Sequence, residues 1–194
     1  MTEVVLFHHV QGLTPGVRAF AAALAGDEHT VHTPDLYGGR TFVSIEEGFA
    51  HLKSLDADAV RQAVDDVEAA LPRPLVYAGI SWGVSHAQRL AQTRPGARGA
   101  LLFEACFPLG EDGFGPWPPS VPVQVHGMDD DEFFAHEGDL AAARDLVALA
   151  GPHHGEVFTY RGDRHLFLDG SLPSYDPLAT ALAVDRARAF LDRV

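Results

Sequence analysis

The chain is nearly without lysine. Lys53 is the only one in 194 residues, against 27 acidic side chains, and the formal net charge is −13. Such a surface repels phosphate backbones and anionic lipid headgroups, so neither nucleic acid nor a membrane is an expected partner. Cysteine is equally scarce: Cys106 stands alone, which rules out an intrachain disulfide framework. No apolar run approaches the roughly 20 residues of a membrane-spanning helix. The opening MTEVVLF has no basic stretch ahead of its strand-like run, so no signal peptide is expected, and the cytoplasm is the default compartment. Neither G-x-G-x-x-G nor a Walker A motif occurs, so no cofactor is expected. The 11 histidines show no H-E-x-x-H or H-x-x-x-H spacing, which argues against a metal site built from His8, His9, His126 and Asp130.

What is present suits one globular domain over residues 1–194, with 46% hydrophobic residues, 19 glycines and 13 prolines. Short apolar runs alternate with stretches of helical period. Strands are predicted from Val4 toward Val10, over His29–Leu36 (ending at Pro34), Pro74–Ile80, Gly99–Phe107, Val121–Gly127 and Gly155–Gly162. Helices are predicted over Pro15–Gly26, Asp56–Leu71, Trp82–Pro95, Gly138–Gly151 and Asp176–Val194. Thr14 caps the first of these, with Pro15 in its first turn. The polar stretch Tyr37–Leu55 has no clear type. The segment Phe107–Ser120 is too rich in proline and glycine for a regular helix. The alternation implies an α/β fold: a mostly parallel sheet of about six strands with helices on both faces.

In such a sheet, ligands gather past the carboxyl ends of the strands. Gly79-Ile80-Ser81-Trp82-Gly83 falls at one of those ends, between a strand and a helix, and matches G-x-S-x-G. A serine there is lifted clear of the sheet on a sharp turn, with the next helix aiming its amides at developing negative charge. Its base is expected at His165, just past the last strand. Its acid belongs in the loop after the fifth, where Asp130 is the first choice, Asp129 the second, and Glu104, ending the fourth strand, a rival. The backbone amides of Val10 and Trp82 are the expected oxyanion donors. His9 is expected to line the mouth of the site, and Phe107 and Trp117 either cap an acyl pocket or cover a sheet edge that lacks a helix. His86 is read as packing.

Five segments together, "VVLFHHVQGL", "HTVHTPDLYGG", "YAGISWGVSHA", "VPVQVHGMDD" and "RGDRHLF", resemble the dienelactone hydrolase family of the α/β-hydrolase superfamily. The resemblance implies an α/β-hydrolase fold, a triad of Ser81, Asp130 and His165, and oxyanion donors at Val10 and Trp82. It also marks departures. The family's name-giving enzymes carry cysteine where this chain has Ser81. They carry a glutamate where it has His9, and a carboxylate-binding arginine where it has Asp169. Asp169 would repel a carboxylate, so the expected substrate is a small neutral ester, thioester or lactone, cleaved by a monomer or homodimer. The alternatives are a catalytically silent binding module, in which Ser81 and His165 would be apart, and a lyase or cyclase using the same oxyanion site.

Overall fold

The computed structural model describes residues 1–110 and 113–194; Glu111 and Asp112, in the predicted irregular crossover, lie outside the described residues. Six strands form one sheet: β1 (Glu3–Phe7), β2 (Thr30–His32), β3 (Leu75–Ile80), β4 (Gly99–Phe103), β5 (Val123–Met128) and β6 (Gly155–Tyr160). Their spatial order is β2-β1-β3-β4-β5-β6, and every neighbouring pair is parallel. The order reverses between β1 and β3, which makes the gap beyond their carboxyl ends the topological switch point.

Alternate residues on each strand serve opposite faces. Val4, Leu6, Val76, Ala78, Leu101 and Phe103 pack under α1 (Pro15–Ala25) and α6 (Pro177–Leu191). Val5, Phe7, Tyr77, Leu102, Val123 and Val125 pack under α3 (Ala57–Ala70), α4 (Trp82–Thr93) and α5 (Asp139–Ala150). Burial on both faces is why the strands read as continuous apolar runs rather than alternating ones. Thr14 caps α1 as expected, its hydroxyl accepting from Val17 N, and Asp56 caps α3 in the same way.

The departures from expectation lie at the strand ends and in the loops. A helix, α2 (Ile45–Ser54), forms inside the stretch of unclear type, with Ser44 as its N-cap. The fourth strand stops at Phe103, four residues early, because Glu104 turns into left-handed backbone at φ 64°. A single π turn, Glu132–His136, follows β5. Among the described residues, the crossover between β4 and β5 holds no helix. Trp117 fills its place: the ring is buried in the core on that face, and the indole N–H donates to Val121 O at 2.8 Å. That corrects its assignment to an acyl pocket. No helix among the described residues is long and apolar enough to cross a membrane.

Candidate active site

Ser81 leaves β3 at φ 49° and ψ −116°, a backbone conformation that non-glycine residues seldom adopt. The turn closes because its flanks are glycines. A Cβ on Gly79 would strike the backbone of Gly83, and one on Gly83 would strike the carbonyls of Phe7 and His8. Three non-glycine residues among those described have positive φ, namely Ser81, Glu104 and Leu166. Two line one cavity and the third follows His165, so the strained backbone is concentrated at one place.

Ser81 Oγ lies 2.8 Å from His165 Nε2, although 84 residues separate them in the chain. On the other side of the ring, His165 Nδ1 lies 2.7 Å from Asp131 Oδ2. The expected acid is therefore corrected by one position. The ladder with the β6 side continues past β5, through Asp129 N to Tyr160 O and Asp130 N to Gly162 O, so Asp131 is the first residue free to turn inward. Asp130 is 72% exposed and pairs with His136, and Asp129 is exposed and accepts from Gly162 N. Asp131 is fully buried, and its second oxygen caps the π turn at Phe133 N. A sequence signal for this existed: of the three aspartates, Asp131 is the one placed to N-cap the apolar run Glu132–His136.

Burial pulls the His165 imidazolium down, but the Asp131 hydrogen bond and the carboxylates of Glu104, Asp131 and Asp139 outweigh it, so its pKa sits above the ordinary histidine value. The amides of Val10 and Trp82 donate to no acceptor among the described residues, and both residues line the cavity beside Ser81. Val10 is held from behind by α2, whose Gly48 lies so close that a Cβ would strike the Val10 carbonyl. Trp82 is wedged by aromatic neighbours, stacking on Tyr37 at 5.2 Å and meeting His86 edge-on at 4.7 Å. His86 thus packs, as expected. Burial pushes His8 down to about 4; its Nδ1 meets His9 O and its Nε2 accepts from Leu36 N, so neither nitrogen is open to a metal.

Glu104 is not the acid of this relay. It is 1% exposed; Oε1 accepts from Phe167 N at 2.7 Å, tying down the loop that carries His165, while Oε2 has no partner among the described residues. Burial is the main reason its pKa rises to about 8.

His9 does not line the mouth. It is fully buried, its Nδ1 accepts from Gln11 N, and its Nε2–H donates to Asp169 Oδ2 at 2.8 Å. Asp169 also accepts from Thr14 Oγ1 and from the amide and hydroxyl of Ser171. Burial lowers the His9 pKa despite its partner, so the ring is neutral. Burial alone would raise that of Asp169, but its hydrogen bonds bring it down to about 2, so it is ionised. Asp169 is 1% exposed and does not face the cavity, which removes the expected repulsion of a carboxylate at that position. His9 and Asp169, two of the three positions noted above as departing from the dienelactone hydrolase pattern, are thus partners in one buried network, joining the loop after β1 to the loop after His165.

The cavity over Ser81 has a volume of about 240 Å3. Phe107 forms part of its wall, and Ile45, Phe49, Phe133, Glu137 and Asp139 contribute without having been anticipated. Phe49 and Ile45 come from the helix that the sequence did not reveal. Larger depressions, of about 360 and 460 Å3, open at the amino ends of the strands, far from Ser81.

Solved structures resemble the whole chain. A protein from Klebsiella pneumoniae assigned as a dienelactone hydrolase superposes with a TM-score of 0.77 at 18% identity, over 100% of this chain and 88% of its own. This is an α/β-hydrolase fold. A dienelactone hydrolase-like promiscuous phosphotriesterase from metagenomic libraries matches this α/β-hydrolase fold at a TM-score of 0.71 and 19% identity, covering 100% of this chain and 86% of that one. A thermophilic esterase from Thermogutta terrifontis does so at 0.62 and 19%, covering 99% and 83%. No family model and no curated protein matches the sequence.

Replacing Asp169 by Ala should cost about 3–5 kcal/mol in urea unfolding, because His9 and Thr14 would be left buried without their shared acceptor. Since the folded pKa of Asp169 is depressed, its contribution is present above the unfolded value of about 3.9 and is lost as pH falls toward about 2. The cost of the substitution should therefore shrink in acid, as repeating the unfolding at pH 3 would measure.

Proposed function

We propose that the protein is a serine hydrolase cleaving small esters, thioesters or lactones through an acyl-enzyme. The observation that carries this reading is the unbroken hydrogen-bonded chain from Ser81 Oγ to His165 Nε2 and from His165 Nδ1 to Asp131 Oδ2, at 2.8 and 2.7 Å. The esterase among its structural relatives supports the reaction class.

In the first half-reaction, the Ser81 proton passes to His165 Nε2 as Oγ bonds to the carbonyl carbon. The carbonyl oxygen takes the negative charge beside the Val10 and Trp82 amides. The tetrahedral intermediate collapses, the C–O or C–S bond breaks, and the leaving group takes the proton from His165. Water then repeats the sequence, giving its proton to His165 and its oxygen to the acyl carbon. The acid departs and Ser81 recovers its proton. Asp131 holds Nδ1–H in place and stabilises the imidazolium without itself taking the proton. The silent-module alternative required Ser81 and His165 to be apart, so their contact favours turnover.

Ser81→Ala should remove nearly all hydrolysis of p-nitrophenyl acetate and all labelling by a fluorophosphonate. Labelling retained in a folded Ser81→Ala protein would place the nucleophile elsewhere and reject the reading. The two neighbouring aspartates separate cleanly: Asp131→Asn should lower kcat by about 10³–10⁴-fold, by losing the required tautomer, whereas Asp130→Asn should change it little. Equal losses would return Asp130 to the relay. Because His165 must be unprotonated to act as base and its pKa is raised, kcat/KM should fall with decreasing pH through a value above the ordinary histidine pKa of about 6.5. A pH–rate profile reads that directly.

A further inference from the structure

The cavity beside Ser81 is acidic and aromatic together. Glu104, Glu137 and Asp139 line it, and among the described residues its lining contains no arginine or lysine. Three carboxylates at a cleft would be commonplace if all were solvated, and Glu137 is. Glu104 is different: it is 1% exposed, it lines the cavity, and its Oε2 has no partner among the described residues. A buried carboxylate oxygen without a donor is costly, so a ligand that brings a donor or a positive charge gains what the protein leaves unmade. The remaining walls suit the same ligand. Trp82, Phe49, Phe107 and Phe133 surround the space, and aromatic faces attract alkylammonium groups.

We infer that the site is selective for small esters carrying an ammonium group, held by Glu104, Glu137 and Asp139 within the aromatic walls. This inference rests on the hydrolase reading above and specifies its substrate class. The formal net charge of −13 assists by drawing cations toward the molecule and turning anions away. Burial raises the Glu104 pKa to about 8, and a cation brought against it favours the ionised carboxylate. The volume of about 240 Å3 limits the group to a few carbon atoms beyond the ester.

The test compares esters of matched shape and different charge. Acetylcholine and 3,3-dimethylbutyl acetate differ by the cationic nitrogen, and β-alanine ethyl ester and ethyl butyrate by an ammonium on the acyl side. Monomethyl succinate supplies the anion. For at least one matched pair, kcat/KM for the ammonium ester should exceed its neutral isostere by about tenfold or more, equivalent to about 1.4 kcal/mol. The pair that shows it tells whether the charge belongs to the acyl or the alcohol side. Glu104→Gln and Glu137→Gln should each pull that ratio toward one. Gln keeps the acceptor for Phe167 N at position 104, and the exposed Glu137 variant still reports if the first does not fold. Ratios near one in both pairs, a preference for monomethyl succinate, or ratios unmoved by Glu137→Gln would overturn the inference while turnover of the neutral esters leaves the hydrolase reading standing. No turnover of any ester would overturn both.

Discussion

Gly83 lies against the carbonyls of Phe7 and His8 with no room for a Cβ, and the whole site stands on that contact. It brings the first turn of α4 onto the end of β1. Ser81 is thereby held in left-handed backbone at φ 49°, and the Trp82 amide and the loop carrying Val10 come to border the same cavity. The parallel sheet does the rest. Every strand delivers its carboxyl end to one edge, so residues separated by 84 positions meet without any long excursion of the chain.

Two buried carboxylates then set the loops that matter, by opposite means. Asp169 is saturated with donors from His9, Thr14 and Ser171, and is ionised because of them. Glu104 accepts one amide, from Phe167, and burial raises its pKa to about 8. Asp169 couples the loop after β1 to the segment beyond His165, and Glu104 couples the end of β4 to the same segment. The loop that carries His165 is thus tied both to the loop after β1 and to the end of β4. His9 and Asp169 are both buried and each meets the other, so a change at one position would require a matching change at its partner.

Much of this was legible in the residues, and where reading stopped has physical causes. Central strands buried on both faces produce largely apolar runs, and β1, β3, β4 and β5 were visible for that reason. Ser81 and His165 were readable because glycine-flanked turns and strand ends leave local marks. Asp130 was preferred over Asp131 because choosing among three adjacent aspartates depends on where the β5–β6 ladder stops, and that is decided by a pairing between segments some 30 residues apart. His9 was placed at the mouth because alternation says only that adjacent side chains diverge, not which one meets a buried carboxylate. Helix α2 was obscured by its composition: Gly48 lowers its intrinsic helicity, yet the close approach to Val10 demands glycine there.

The sequence by itself determined the layering, the six strands, the serine turn and the imidazole that faces it, because each is encoded in periodicity or in the steric allowance of nearby glycines. The tertiary structure alone decided which aspartate orients the imidazole, that His9 and Asp169 are partners inside the protein, and that the space over Ser81 is walled by carboxylates and aromatic rings. Those outcomes depend on distances between segments remote along the chain, and such distances exist only once the sheet has paired and its loops have packed.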